Sequence, residues 1–133
     1  MSLKSFEDLE CWKAARELRI FVSQNIISKF PIDEKYALTS QLKRSSRSVS
    51  DNIAEGFGRG GNLEFIQFLE ISHGSACECQ SQLYRIVDRK YIPEGKFTEL
   101  NNLCEEIKKI TISLIHYLSS SENKGIKYSL RKK

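Results

Sequence analysis

Glycines 56, 58 and 61 in the stretch NIAEGFGRGGN (residues 52–62) have the spacing G-x-G-x-x-G. Dinucleotide-binding and kinase loops use that spacing to bring backbone N–H groups close to phosphate. The chemistry needs a strand before the glycines, so that the turn aims a helix N-terminus at the ligand. Here Leu42, Ser46, Val49, Ile53 and Phe57 keep a helical period up to the glycines, and no H-R-D or D-F-G follows. The glycines therefore read as a helix stop and an open loop, where positive φ is cheap for glycine. A weaker anion site remains open: Asn62 caps the next helix, and Arg59 lies beside that N-terminus.

The other reactive residue types do not assemble into catalytic or metal patterns. Asp51 and Glu55 are one helical turn apart with no nucleophile or metal set nearby, and the only histidines, His73 and His116, lack H-E-x-x-H spacing. Cys11, Cys77, Cys79 and Cys104 form C-x-C plus two singles, unlike the C-x-x-C pairs of zinc sites. They read as small core residues or inert thiols, which fits a reducing cytoplasm. No catalytic residue, cofactor or metal is expected. No apolar run reaches the roughly 18 residues of a membrane span, and the N-terminus MSLKSFEDLECW has no secretory apolar core.

Four segments of helical period must position these groups. The first is expected from about Phe6 to Lys29, capped by Ser5, with Leu9, Trp12, Ala15, Leu18, Val22 and Ile26 on one face. The second runs from about Glu34 to Phe57. Its buried face, Leu38, Leu42, Ser45, Ser46, Val49, Ile53 and Phe57, is thin in large residues, and its serines allow a neighbouring helix to come close. The third starts after Asn62 and ends near Arg89, with Phe65, Leu69, Ser72, Ala76, Cys79, Leu83 and Val87 inward. The fourth runs from about Phe97 to Leu118 along Phe97, Leu100, Cys104, Ile107, Thr111, Leu114 and Leu118. Four such helices with short connections bury their stripes most economically as an all-α, antiparallel up-down-up-down four-helix bundle. Residues 1–120 are expected to form it, and 121–133 a basic, flexible C-terminal tail.

The net charge of +4 is localised. Residues 121–133 carry five basic groups, Lys124, Lys127, Arg131, Lys132 and Lys133, against Glu122, so residues 1–120 sum to zero. Within those, 35–60 carry +3, through Lys35, Lys43, Arg44, Arg47 and Arg59 against Asp51 and Glu55. These two groups of cations are the candidate contacts to RNA or DNA.

On the second helix, Gln41, Arg44, Ser48, Asn52 and Glu55 recur at intervals of 3, 4, 4 and 3 on one polar stripe, which Arg59 extends. The third helix offers Gly74, Ser75, Glu78 and Gln82 as a complementary outer face, with Ile71 pointing away from its own core stripe. Such residues suit a buried hydrogen-bond network at a helix–helix or subunit seam, or a binding site for an anion.

The whole run YALTSQLKRSSRSVSDNIAEGFGRGGNLEFIQFLEISHGSACECQSQL resembles the bacterial 23S ribosomal RNA intervening-sequence proteins. The residues carrying it are Tyr36, Leu38, Gln41, Arg44, Ser48, Asn52, Ile53, Ala54, Glu55, Gly56, Arg59, Phe65, Phe68, Leu69, Gly74, Ser75, Glu78 and Gln82. FEDLECWKAARELRIFV is similar to the family's first helix. The resemblance implies a four-helix bundle that assembles as a homopentamer, with no established catalytic activity. Related accessory proteins of diversity-generating retroelements bind nucleic acid and a reverse transcriptase. Two functions from different classes follow as expectations. One is a non-catalytic oligomeric module that binds RNA or DNA. The other is a structural or protein-binding assembly whose polar stripe holds subunits together.

Overall fold

In the computed structural model, which describes residues 5–121, four α-helices follow in order: α1 Glu10–Phe21, α2 Leu38–Gly58, α3 Asn62–Asp88 and α4 Glu94–Ser120. No strand occurs among the described residues. The stripes read from sequence form the core: Leu18, Ile26, Leu42, Val49, Ile53, Leu69, Leu83, Ile86, Leu100 and Ile107 are all buried. Burying each such side chain stabilises the fold by about 1.5–3 kcal/mol. Phe57, Val87, Phe97 and Leu118 are partly buried at the stripe ends.

The first helical segment differs from the expected unbroken helix over residues 6–29. Ser5 and Asp8 form a capping box, but it closes only the 3-10 turn Phe6–Asp8. Leu9 is then extended (φ −77°, ψ 129°) and buried, so α1 begins at Glu10. The break folds Phe6 onto Trp12 with ring centroids 5.1 Å apart. Beyond Phe21 the chain widens into a π turn, Val22–Ile26, and tightens into a 3-10 turn, Ile27–Lys29. Val22 and Ile26 both remain in the core through this change.

Helix α2 starts at Leu38 rather than Glu34. Ile32–Glu34 is a separate 3-10 turn, because the Glu34 carboxylate is drawn inward to Arg89 (3.1 Å) and the Tyr91 hydroxyl (2.8 Å). At the far end α2 continues through Gly58, and Gly60 makes the turn at φ 83°. Gly61, not Asn62, is the N-cap of α3; Asn62 Nδ2 instead reaches Leu118 O across the bundle at 3.5 Å. Helix α3 ends on Lys90 (φ 59°), with Tyr91 N–H donating to Ile86 O and Lys90 N–H to Val87 O, the paired bonds of a Schellman motif. Helix α4 starts directly after Pro93, three residues before the expected Phe97.

Partners along α2 and α3 run in opposite order: Gln41 meets Arg85, Ser45 meets Gln82, Ser48 meets Ser75 and Gly56 meets Phe68. The two helices are therefore antiparallel and very close. A β-carbon built on Gly56 would lie 2.5 Å from Phe68 Cβ, whereas one on Gly58 meets nothing within 4 Å. Gly56→Ala is expected to destabilise the protein by about 1–3 kcal/mol, because backbone-anchored atoms must move apart. Gly58→Ala is expected to stabilise it by roughly 0.4–1 kcal/mol, by restricting the unfolded chain. Urea unfolding of the two variants checks both signs.

Candidate functional site

The polar stripe of α2 lies along its contact with α3 inside one chain. Arg44 pairs with the Glu78 carboxylate, which raises the Arg44 pKa above its ordinary value through the hydrogen bond and the nearby charge. Gln41 Oε1 accepts from Arg85 at 3.0 Å. Ser48 Oγ meets Ser75 Oγ at 2.8 Å, and Asn52 Nδ2 donates to Ser48 O (2.8 Å) and Oγ (2.9 Å). The helix–helix alternative therefore describes this part of the stripe.

The stripe is less buried than expected. Asn52 and Ser48 are half-buried, while Gln41, Arg44, Glu55 and Arg59 are exposed. Glu55 does not join the seam: its carboxylate lies 3.8 Å from Arg59, one turn along the same helix. Arg59 also rests 5.1 Å from the Phe68 ring centroid. Fully buried polar contacts lie one step deeper, at Ser45, Ser72 and Cys79, which the sequence assigns to the core face, and at Gln82, which it assigns to the outer face of the third helix. Ser45 Oγ is 2.7 Å from Gln82 Oε1 and receives a contact from Cys79 Sγ at 3.2 Å. Ser72 Oγ donates to Val49 O at 2.7 Å.

The group expected to form a subunit interface divides accordingly. Ser75 and Gln82 are buried against α2 of their own chain, and Glu78 is held by Arg44, because α2 already covers that side of α3. Ile71 (52% exposed) and Gly74 remain on the outer surface.

The cations expected to meet nucleic acid also divide. Lys35, Lys43, Arg44 and Arg47 line one open hollow of about 630 Å³ on the outer face of α2, together with Tyr36, Ser40, Ser48, Asp51 and Asn52. Asp51 is the only acidic residue in that lining. Arg44 is neutralised by Glu78, but Lys35, Lys43 and Arg47 have no ion-pair partner among the described residues. Arg59 lies twelve residues beyond Arg47 on the same helix, roughly 18 Å along its axis, and so stands apart from the hollow. Lys124, Lys127, Arg131, Lys132 and Lys133 fall outside the described residues.

Sequence reasoning assigned no site role to Tyr36. It is 88% exposed in the turn before α2, with Lys35 Nζ 5.3 Å from its ring centroid. The available signal was an aromatic residue next to a lysine, at a place where the helical stripe has not yet begun. Sequence reasoning also missed the Glu34–Arg89–Tyr91 cluster and a second seam network. In that network Gln80 Nε2 donates to Asn101 and Glu105, both at 3.0 Å, and Lys108 donates to Gln80 at 2.9 Å. The Gln80 hydrogen bond, assisted by Lys108, lowers the Glu105 pKa.

Residues 7–113 match the family model for the 23S rRNA-intervening sequence protein. The chain belongs to that family. One similar solved structure comes from Bacteroides thetaiotaomicron VPI-5482 and is described as a protein with unknown function from the S23 ribosomal protein family. It matches with a TM-score of 0.71 and 25% identity, over 79% of this chain and 97% of that one. No curated protein matches. The family thus carries a fold and no assigned reaction. Among the described residues, no cluster of three or more metal-ligating side chains occurs, and no helix is long and apolar enough to cross a membrane.

Burial sets the thiol chemistry. Desolvation pushes Cys11 and Cys79 up to about 11 and Cys104 higher still, so all three stay protonated near neutral pH; Cys77 is exposed. At pH 8 a thiol reagent is expected to modify Cys77 alone in the folded protein, and all four cysteines after denaturation, as counted by intact mass. Gln82→Ala is expected to cost about 1–3 kcal/mol, because it removes a buried hydrogen bond across the seam to Ser45. Arg44→Ala, at an exposed and solvent-screened pair, is expected to leave the melting temperature nearly unchanged. Thermal unfolding separates the two.

Proposed function

We propose that this protein is a non-catalytic, oligomeric four-helix-bundle module that binds RNA or DNA through the outer face of α2. Its four helices take the up-down-up-down arrangement, five copies form a ring, and the assembly works in the cytoplasm. The antiparallel pairing of α2 with α3 supports the topology, as does Asn62 reaching the end of α4. One observation carries the binding reading: Lys35, Lys43, Arg44 and Arg47, spread over thirteen residues of sequence, line a single hollow that holds only one carboxylate. Lys35, Lys43 and Arg47, which have no ion-pair partner among the described residues, attract phosphates, and repetition around a ring multiplies contacts that are individually weak. In this reading Lys124, Lys127, Arg131, Lys132 and Lys133 of the C-terminal sequence add to the attraction.

A second reading, an assembly or protein-binding module without nucleic acid, draws on the outer surface of α3. There Ile71 is 52% exposed, and Gly74 has open space over its Cα.

Titration of a labelled oligonucleotide across a salt series tests the proposal. Binding should be tight at low salt, little dependent on sequence, and reduced by orders of magnitude between about 50 and 200 mM salt. Lys43→Glu with Arg47→Glu should abolish it and leave the light-scattering mass, expected to be pentameric, unchanged. Deleting residues 121–133 should weaken it and flatten the salt slope. Full-strength binding by the double variant would remove the α2 face from consideration. No binding by any form would leave the assembly reading.

A further inference from the structure

We infer that the hollow on α2 takes single-stranded nucleic acid, with one base stacked on Tyr36 and the adjoining phosphates on Lys35, Lys43 and Arg47. The inference rests on the proposed function and narrows it from nucleic acid in general to an unpaired strand.

Three observations carry it. Tyr36 is among the most exposed large side chains of the described residues, at 88%, and it lines the same hollow as the cations. Apolar burial within the chain therefore does not explain it. Its aromatic plane also has an orientation: Lys35 Nζ lies 5.3 Å from the ring centroid, which places a positive charge over one face of the ring and leaves the opposite face for a stacked base. Lys43 and Arg47 follow one helical turn apart, about 6 Å along the axis, so they form a short track leading away from the ring.

An aromatic platform beside a basic track is how a protein holds a strand whose bases are free to stack. A duplex offers no such face, because its bases are stacked on each other and only phosphates and groove edges are presented. Lys35, Lys43 and Arg47 would serve either form. Tyr36 serves only the single strand.

The remaining lining is consistent with phosphate and sugar contact and lacks a reader of base identity. Ser40 supplies a hydroxyl, and the Asn52 amide is already committed to Ser48. The Glu78 carboxylate occupies the Arg44 guanidinium from the α3 side, which leaves Arg44 the weakest of the four cations as a phosphate ligand. Sequence preference should therefore be slight.

The test uses the full chain with a fluorescein-labelled 12-nucleotide oligouridine and a 12-base-pair RNA duplex, at low salt. Tyr36→Leu should weaken oligouridine binding by about 5- to 100-fold, the loss of one stacked base, while Tyr36→Phe retains it. Duplex binding should be unchanged in both. A 2-aminopurine in the single strand should be quenched on binding to the parent protein and not to Tyr36→Leu. Tyr36 is exposed, so unchanged circular dichroism and melting of both variants are expected and confirm the comparison. If Tyr36→Leu binds oligouridine as the parent does while Lys43→Glu with Arg47→Glu binds nothing, stacking is refuted and the basic face stands. If the parent binds the duplex at least as tightly as the single strand, the preference for an unpaired strand is refuted. If the parent binds neither, this inference and the function beneath it both fall.

Discussion

The closeness of α2 to α3 governs the rest of the molecule. Gly56 has no room for a methyl group beside Phe68, so the helix backbones meet there at a distance that only glycine permits. Further along, buried serines and a cysteine, Ser45, Ser72 and Cys79, line the same contact. Small residues supply little apolar area, and any polar atom they carry must find a partner across the seam. Ser45, Ser72, Cys79 and Gln82 do so with one another and with Val49 O. The seam exchanges hydrophobic bulk for directional bonds. That fixes the register of one helix against the other, since a shift of one turn would break each of these bonds across the seam. With the register fixed, Arg44 faces Glu78, while Lys43 and Arg47 face solvent.

The helices were legible because their apolar stripes repeat without interruption over twenty residues or more. The ends were not, and each error has its own physical cause. Leu9 belongs to the hydrophobic stripe, yet it reaches the core from an extended backbone, which periodicity alone does not distinguish from a helical one. Glu34 looked like a solvated helix start. It is pulled inward by Arg89 and Tyr91, fifty-five and fifty-seven residues away, and no local pattern carries that information. Asn62 has the side chain of a good cap and spends it on Leu118 O, leaving the capping position to Gly61.

The site was half legible. Charge counting picked out residues 35–60, and four of the five cations chosen there do share a surface. Counting does not show which cations are neutralised, and here a carboxylate from another helix occupies Arg44 and a neighbouring one occupies Arg59. The stripe from Gln41 to Arg59 was assigned one depth because its residues share one angular position on the helix. Depth also depends on how closely the facing helix lies at each level, so the stripe is half-buried at Ser48 and Asn52 and open at both ends.

The Glu34 carboxylate binds the α1–α2 connection to the α3–α4 connection at one end of the molecule, and Phe30 against Tyr91, 5.4 Å between centroids, reinforces the tie. The opposite end has Gly60, Gly61 and a long 3.5 Å hydrogen bond. The Glu34 tie therefore raises the free energy of local opening at its own end. Lys35 and Tyr36 directly follow Glu34 in the chain, so the rim of the α2 hollow inherits the order of the tied end. A partner meeting that rim finds it already arranged and loses little of its binding energy to fixing a loop.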